Sequence, residues 1–189
     1  RSDSEVVLEA LAEWGEDAVE RLNGMFAFAL WDSRERTLLL ARDRFGMKPL
    51  YYARLENTLI FASEVKALLL HPDFTTEMDS GALSEYLTFQ NFFTDRTLFR
   101  RVRMLPAGSL LCIVEGREER PEPRQFWDFA FSDPAKPCPK GEYLDTLEAL
   151  IEQAITRQMV SDVPVGTYLS GGIDTGIIAS VAAFACSLA

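Results

Sequence analysis

The sequence predicts an α+β domain followed by the first elements of an α/β unit. Between Phe26 and Val114 much of the apolar pattern has the two-residue period of β-strands, and segments of helical period flank it. After residue 140 come a long amphipathic helix, an apolar stretch, a glycine turn and a second helix, an order typical of α/β units. The 189 residues, 48% of them hydrophobic, suffice for one substantial core and part of another.

The first element is a predicted amphipathic helix. Its apolar residues recur at helical spacing and are Val7, Leu8, Leu11 and Trp14. Gly15 follows as a helix stop, and Ser2 with Glu5 three positions later has the pattern of a capping box. A shorter helical turn is predicted over residues 16–22. These segments are expected to cover one face of a sheet.

The sheet is predicted from the alternation that follows. Two sets of side chains alternate, with Phe26, Phe28 and Leu30 on one face and Ala27, Ala29 and Trp31 on the other. A second strand is predicted over residues 37–41, after a polar turn. Because both faces are apolar, we expect a sheet covered on both sides, with the phenylalanines in the core rather than in a cofactor site.

Further strands and two helices complete the predicted first domain. The strands are expected at residues 50–53, 59–62 and 109–114. One helix is predicted over residues 64–70, before a His-Pro pair that ends it. Asp79 is the predicted N-cap of the other helix, with Leu83, Tyr86 and Leu87 on its inner face.

Charge and apolar runs exclude two classes of partner. The 19 Lys and Arg residues against 29 Asp and Glu residues give a formal charge of −10, and such a field repels a phosphate backbone. Nucleic acid is therefore not an expected partner. The longest apolar run, residues 176–189, is shorter than the roughly 20 residues that a membrane-spanning helix needs. No membrane partner is expected either.

The cysteines indicate a reducing compartment. Cys112, Cys138 and Cys186 are odd in number and form no CxxC pair, and the chain has one histidine. Neither a zinc cage nor a disulfide framework finds its ligands in this set. The cytoplasm is therefore the predicted location.

A change in composition predicts a linker. Charges run from Gly116 to Arg124, and an aromatic pair, Phe126-Trp127, precedes a segment with three prolines. The predicted division is a first domain at residues 1–125, a linker at 126–140 and a second domain at 141–189. The second domain opens with a helix whose apolar residues are Tyr143, Leu144, Leu147, Leu150, Ile151, Ala154, Ile155 and Met159.

A glycine turn near the C-terminus has the pattern of a phosphate site. A buried strand is predicted over residues 163–169, followed by Ser170-Gly171-Gly172 and a helix from Asp174. The glycines allow close approach of an anion, and the N–H groups of the helix's first turn point at the same place. The hydroxyls of Ser170 and Thr175 are candidate donors to phosphate oxygens. Asp174 beside phosphate indicates a bridging Mg²⁺.

The interpretation of this turn as a phosphate site has one restriction and one alternative. The loop is not a Walker A loop, because GxxxxGK[ST] is absent and no lysine lies in the turn. The alternative is structural: Ser170 caps a helix after two turn glycines, and Asp174 adds a favourable charge to the first turn.

Longer motifs identify a family. Ser-Gly-Gly-x-Asp-Thr after an apolar strand resembles the pyrophosphate loop of the ATP pyrophosphatase superfamily. Several segments in the first domain resemble, in order and spacing, the glutaminase domain of glutamine-hydrolysing asparagine synthetases. They are residues 2–8 (SDSEVVL), 22–32 (LNGMFAFALWD), 41–52 (ARDRFGMKPLYY), 61–66 (FASEVK), 98–108 (LFRRVRMLPAG) and 126–128 (FWD).

This resemblance implies a fold and a two-site reaction. The fold is a partial N-terminal-nucleophile αββα sandwich followed by the first helix, strand, loop and helix of a Rossmann-like ATP-pyrophosphatase domain. The glutaminase releases ammonia from glutamine, and the second domain activates aspartate with ATP as a β-aspartyl adenylate that ammonia attacks. The implied cofactors are ATP and Mg²⁺, the substrates are glutamine, aspartate and ATP, and a homodimer is compatible with the assignment.

The resemblance also assigns binding residues. Asp3 matches the acidic residue that holds the α-ammonium of glutamine, although a first-turn acid stabilised by the helix dipole is its simpler interpretation. The other matches lie at the ATP and pyrophosphate loop and are Leu169, Ser170, Gly171, Gly172, Asp174 and Thr175, with Asp174 as the magnesium ligand. Thr175 and Gly176 depart from the family pattern, which has serine at both positions; threonine keeps the hydroxyl and glycine loses it.

No catalytic residue is assigned within the 189 residues. The family's nucleophile is an N-terminal cysteine, and it and other parts of the glutamine pocket map before Arg1. A helix begins at once and the last apolar helix runs to Ala189, so we expect a sequence cut at both ends. Cys112, inside a predicted strand, and Cys138, in the linker, are interpreted as ordinary thiols.

Arg42, Asp43 and Arg44 precede Phe45-Gly46 at the end of the second strand. We interpret them as a surface charge cluster, because charged side chains are mostly exposed. The alternative is that they face the ammonia-forming site.

Other functions stay open at this stage. A related enzyme with another acceptor acid, such as a β-lactam synthetase-like enzyme, has the same parts. A non-catalytic binding module keeps the fold without the nucleophile. A purine-type amidotransferase has a glutaminase of this kind but does not carry the residues Ser170 to Thr175 in this pattern.

Overall fold

The computed structural model describes residues 2–56, 58–117, 121–131 and 138–187. The chain divides into two compact units, Arg1–Ala130 and Phe131–Ala189. The predicted domain boundaries at 125 and 141 stay predictions, and residues 132–137 of the predicted linker lie outside the described residues. Helices and antiparallel sheets are both present, as the α+β prediction requires.

Within its described residues the first unit contains four α-helices, a 3-10 helix (Gly15–Asp17) and two antiparallel sheets. The helices are α1 (Asp3–Trp14), α2 (Ala18–Arg21), α3 (Val65–Leu68) and α4 (Ser80–Phe89). The strands are β1 (Ala27–Asp32), β2 (Thr37–Arg42), β3 (Tyr51–Arg54), β4 (Leu59–Ala62), β5 (Val102–Met104), β6 (Ser109–Val114) and β7 (Arg124–Gln125). One sheet has the order β1-β2-β6-β7 and the other β4-β3-β5.

Three apolar clusters hold these elements in four layers. Leu11 of α1 and Val19 of α2 pack with Leu39 and Leu110 on the outer face of the four-stranded sheet. Between the sheets lies a second cluster, formed by Leu40, Leu50, Leu105 and Leu111. Ala53, Leu68 and Val102 form the third, between the three-stranded sheet and α3. The order is helices, sheet, sheet, helix.

The alternation along β1 is confirmed. Phe26, Phe28 and Leu30 pack against the cluster under α1 and α2. On the other face, Ala27 packs against the cluster between the sheets, whereas Ala29 and Trp31 are exposed, so the predicted burial of that face is confirmed only at its start. The sheet is therefore covered on both sides, and the two phenylalanines belong to the core, with ring centroids 5.6 Å apart.

Of the two helix caps that the sequence predicts, one is confirmed and the other is not. Ser2 is the N-cap of α1, but its side chain makes no capping hydrogen bond, so the predicted capping box is wrong. The side chain of Asp79 does cap α4, accepting the N–H of Ala82 at 3.0 Å. This hydrogen bond lowers the pKa of Asp79.

The predicted inner face of α4 is also wrong in part. Tyr86 is 43% exposed and Leu87 71% exposed, whereas Ala82 is fully buried. The helix contacts the unit through this small residue near its start. The aromatic ring of Tyr86 instead stacks on Phe92, with centroids 5.5 Å apart.

The second unit contains two helices within its described residues, α5 (Lys140–Gln158) and α6 (Ile173–Ser187). The predicted strand over residues 163–169 is wrong, because these residues form no strand and all are exposed. A strand needs a neighbour to satisfy its N–H and C=O groups, and no described residue pairs with this segment. None of the helices in the described part of the chain is long and apolar enough to cross a membrane.

Replacing Gly108 by alanine is expected to lower the free energy of unfolding by about 2 kcal/mol. Gly108 has φ +59°, and a Cβ there would lie 2.6 Å from the carbonyl oxygen of Trp127. The backbone cannot move away freely, since Gly108 O accepts the N–H groups of Phe126 and Trp127. The measurement is urea-induced unfolding followed by circular dichroism.

Gly116→Ala is the matched control for this substitution. Gly116 also has a positive φ, +79°, but a Cβ there meets nothing within 4 Å. Only backbone strain remains, with an expected loss of about 1 kcal/mol. Equal losses for the two variants would contradict the role of the Trp127 contact.

Candidate functional site

The glycine turn before α6 brings two hydroxyl groups together. Ser170 Oγ and Thr175 Oγ1 lie 3.2 Å apart, within hydrogen-bond distance. Thr175 Oγ1 donates to the carbonyl oxygen of Gly172 at 3.0 Å. Gly171 has φ +84°, a conformation that favours glycine. The turn therefore presents both hydroxyls on the same side of the helix start.

The N-terminus of α6 provides backbone donors beside these hydroxyls. The helix begins at Ile173, and its first bond runs from Gly176 N–H to Gly172 O at 3.0 Å. The first N–H groups of any helix lack partners within the helix and favour an anion. The structural alternative requires the Ser170 hydroxyl to accept a backbone N–H group of the helix. Among the described hydrogen bonds, this hydroxyl bonds to the side chain of Thr175 instead.

Asp174 lies in the first turn of α6, next to this group of donors. It is exposed, as is Leu169, which is 69% exposed. Within the described ranges, no group of three or more His, Cys, Asp or Glu residues is arranged to hold a metal ion. A single carboxylate with two hydroxyls nonetheless fits Mg²⁺, which often binds through one or two carboxylates and takes further ligands from phosphates and water.

Asp3, the other predicted binding residue, lies in the first unit. It is the first residue of α1 and is exposed. Asp3 and residues 169–175 therefore belong to different units, and the role of each in binding stays a prediction.

The prediction of a surface charge cluster at residues 42–44 is wrong. Asp43 is 1% exposed and Arg42 is 8% exposed. Arg42 donates from Nε to Lys48 O, from Nη1 to Leu105 O and from Nη2 to Gly46 O, at 2.6–2.8 Å. Burial lowers the pKa of Arg42, and the adjacent Asp43 offsets part of this effect.

Asp43 organises the loop that follows β2. Its carboxylate accepts four backbone N–H groups at 3.0–3.2 Å, from Phe26, Phe45, Met47 and Lys48. Its main-chain oxygen also accepts the N–H groups of Gly46 and Gly108. The residue ties the loop to the start of β1 and to the turn before β6. An Asp before a Gly-containing turn was the available sequence signal.

The two thiols interpreted as ordinary have environments that disfavour the thiolate. Burial is the main cause that raises the pKa of Cys112 to about 11, and Glu16 nearby adds to it. Glu142 raises the pKa of Cys138. A thiolate is the nucleophilic form of cysteine, so neither side chain is activated.

Two family models match this chain. Residues 1–127 match the glutamine amidotransferase domain. Residues 146–186 match asparagine synthase. The second match begins inside α5 and ends inside α6, so it includes the loop from Leu169 to Thr175.

Three of the proteins that this chain resembles illustrate the similarity. Over 185 residues the chain is 38% identical to glutamine-hydrolyzing asparagine synthetase 3 of Bacillus subtilis strain 168, covering 96% of the chain and 29% of that protein. It is 37% identical over 183 residues to glutamine-hydrolyzing asparagine synthetase 1 of the same strain. That alignment covers 96% of this chain and 28% of the relative. It is 32% identical over 189 residues to amidase chyE of Penicillium rubens. That alignment covers 96% of this chain and 26% of the relative. The chain thus spans under a third of the length of these relatives.

Proposed function

The chain belongs to the glutamine amidotransferase domain family, matched over residues 1–127, and from this membership we propose that it is part of a glutamine-hydrolysing asparagine synthetase. One observation carries the proposal: a glutamine amidotransferase match is followed in the same chain by an asparagine synthase match. In this proposal residues 1–125 belong to the glutaminase and residues 141–189 begin the ATP-dependent domain.

The architecture of the first unit supports the glutaminase half. Its layers of helices, sheet, sheet and helix correspond to the αββα sandwich of N-terminal-nucleophile enzymes. The Rossmann-like assignment of the second half rests on the asparagine synthase match and on helices α5 and α6.

The proposed reaction joins two steps. Glutamine is hydrolysed to glutamate and ammonia, and aspartate reacts with ATP to give a β-aspartyl adenylate and pyrophosphate. A carboxylate is a poor electrophile, and adenylation gives it a good leaving group that ammonia displaces. Asparagine and AMP are the products.

Each half has proposed binding residues. The carboxylate of Asp3 would hold the α-ammonium of glutamine through a charge-assisted contact. The Ser170 and Thr175 hydroxyls and the first N–H groups of α6 would donate to the pyrophosphate, with Gly171 and Gly172 permitting close approach. Leu169 would line the ATP site. Asp174 would hold Mg²⁺, which neutralises the charge of the phosphates.

Location and assembly complete the proposal. Cys112, Cys138 and Cys186 are free thiols, which supports a reducing compartment such as the cytoplasm. Substrates are the small molecules glutamine, aspartate and ATP. A homodimer is part of the proposal, with mass measured by light scattering as its test.

A second candidate function keeps the two halves and changes the acceptor, since not every similar protein is named as an asparagine synthetase. An enzyme of the same architecture would then act on an acid other than aspartate, as a β-lactam synthetase-like enzyme does. ATP-dependent release of pyrophosphate by the complete protein, measured with aspartate and with other carboxylic acids, distinguishes the two. Aspartate as the best acceptor supports the first proposal.

Asp3→Ala is expected to impair synthesis from glutamine by about ten- to hundredfold while synthesis from free ammonia continues. The loss corresponds to one charge-assisted hydrogen bond to the α-ammonium. The measurement is asparagine formation by the complete protein, with glutamine or with ammonium chloride as nitrogen source.

Asp17→Ala serves as the matched control, because Asp17 is another exposed aspartate near a helix start. It should leave both activities unchanged. An equal loss with both nitrogen sources for Asp3→Ala would show that Asp3 acts on folding rather than on glutamine.

A further inference from the structure

A cavity of about 480 Å³ opens at the rim of the core between the two sheets of the first unit. Leu111 of β6 reaches it from the four-stranded sheet. Tyr52 and Leu59, from the three-stranded sheet, line it and also pack against the core between the sheets. The cavity therefore has an apolar wall made by residues that the fold holds in place.

Three arginines surround the opening, Arg54, Arg96 and Arg103. Strand pairing explains their convergence. Arg54 follows Tyr52 by two residues on β3 and so lies on the same face of the sheet. Arg103 on β5 is directly opposite Tyr52 in the register, and Arg96 forms an isolated β-bridge with Arg103.

Carboxylates lie close to these arginines, but only one of the three arginines forms an ion pair within the described residues. The cavity is also lined by Asp95 and Glu122, and Arg103 Nη1 lies 3.5 Å from Asp95 Oδ1. Arg54 and Arg96 have no ion pair within the part of the chain that the structure describes. Asp79 lies near the same group, since Arg96 and Arg103 help to lower its pKa. The guanidinium groups of Arg54 and Arg96 nonetheless keep hydrogen-bond donors that no ion pair uses.

Tyr52 adds a hydroxyl donor to this wall. Its side chain is half-buried. Burial is the main cause that raises the pKa of Tyr52, and Asp95 and Glu122 raise it further. The hydroxyl therefore stays protonated at neutral pH and is able to donate a hydrogen bond to an anion.

We propose that this cavity, the arginine cavity, binds a small organic molecule that carries a phosphate or carboxylate group. The planar guanidinium fork matches both oxyanions and binds them through paired hydrogen bonds. The volume lies in the range of small-molecule sites and exceeds the need of a single inorganic ion. The organic part would pack against Leu59 and Leu111. The proposal uses neither Asp3 nor the loop before α6.

The alternative is that the arginines only neutralise the neighbouring carboxylates. In that case an anion would gain nothing from the cavity. Replacing Arg54 would then leave the affinity for an anion unchanged. The ion pair at the cavity, between Arg103 and Asp95, would also remain.

Nuclear magnetic resonance of the ¹⁵N-labelled chain distinguishes these cases. The probes are phenyl phosphate and benzoate, each with an oxyanion and an apolar ring, and phenol, which has the ring without the anion. We expect saturable shifts of the amide signals of residues 52–54 and 102–104 with phenyl phosphate, benzoate or both, and none with phenol. Which anion binds more tightly identifies the class of ligand.

Arg54→Gln should weaken the binding of the better probe by about tenfold, the effect of losing a charged hydrogen-bond donor. Arg34→Gln is the matched control, because it removes the same charge from an exposed turn that does not line the cavity. It should leave the affinity unchanged. The amide spectrum of each variant reports whether its fold is intact.

Three results would overturn the proposal. One is the absence of saturable shifts at residues 52–54 and 102–104 with both anions. Another is equal binding of phenol, which would make the cavity apolar rather than anion-specific. The third is an equal loss of affinity in Arg54→Gln and Arg34→Gln, which would indicate a general effect of net charge.

Discussion

Replacing Asp43 by alanine is expected to lower the free energy of unfolding by about 3 kcal/mol. Asp43 is 1% exposed, and its carboxylate accepts the N–H groups of Phe26, Phe45, Met47 and Lys48. Alanine leaves these donors without their acceptor and removes the negative charge beside the buried Arg42. The measurement is urea-induced unfolding, with the midpoint and slope determined separately.

Two further variants make this expectation specific. Asp43→Asn keeps the shape but turns one oxygen into a donor that faces other donors, so it should also be destabilising, by less than alanine. Asp32→Ala is the matched control, because Asp32 also accepts two backbone N–H groups, from Arg34 and Glu35, but in an exposed turn. A loss in Asp32→Ala as large as in Asp43→Ala would contradict the importance of burial.

The regular part of the first unit was predictable because its apolar residues repeat with a clear period. Alternation located β1, and a continuous apolar run located β6 at its observed bounds, 109–114. Strands β5 and β7 were missed, since three and two residues are too few for a period to be recognised. The partner of β5 is β3, which is distant in the sequence, whereas β7 pairs with β6, the strand just before it.

The burial of Arg42 and Asp43 depends on hydrogen-bond partners both near and far in the sequence. Arg42 has one of its hydrogen-bond acceptors at Leu105, and Asp43 accepts from Phe26. These two partners lie 63 and 17 residues away in the sequence, whereas the other side-chain partners lie within six residues. Exposure is the better prediction for such residues in general, and it failed here because backbone groups supply their partners.

The prediction of a strand at residues 163–169 was wrong because the segment lacks a neighbouring strand among the described residues. Its residues have the composition of a buried strand, but composition does not supply a neighbour. The turn and helix that follow depend on local interactions, and α6 begins at Ile173, one residue before the predicted start. Local signals thus predicted the helix start at the candidate loop, while the strand depended on contacts that the described residues do not make.

Asp174→Asn is expected to lower ATP-dependent pyrophosphate release by the complete protein by about 10² to 10³-fold. Asp174 lies at the start of α6, beside the hydroxyls of Ser170 and Thr175, where a carboxylate next to phosphates is stable only with a bridging cation. The amide keeps the shape but removes the charge that would hold Mg²⁺. The measurement is pyrophosphate release with aspartate, ATP and free ammonia, so that the glutaminase step does not contribute.

Glutamate formation from glutamine is the second assay on the same variant, and we expect it to be largely retained because the proposed glutaminase residues lie in the other unit. Asp145→Asn is the matched control: Asp145 is an exposed aspartate inside α5, away from the helix start, and its replacement should leave both assays unchanged. If Asp174→Asn releases pyrophosphate at the normal rate, the carboxylate binds no catalytic cation. Asp174 would then be a first-turn acid that only stabilises its helix, and the pyrophosphate assignment of the loop would be wrong.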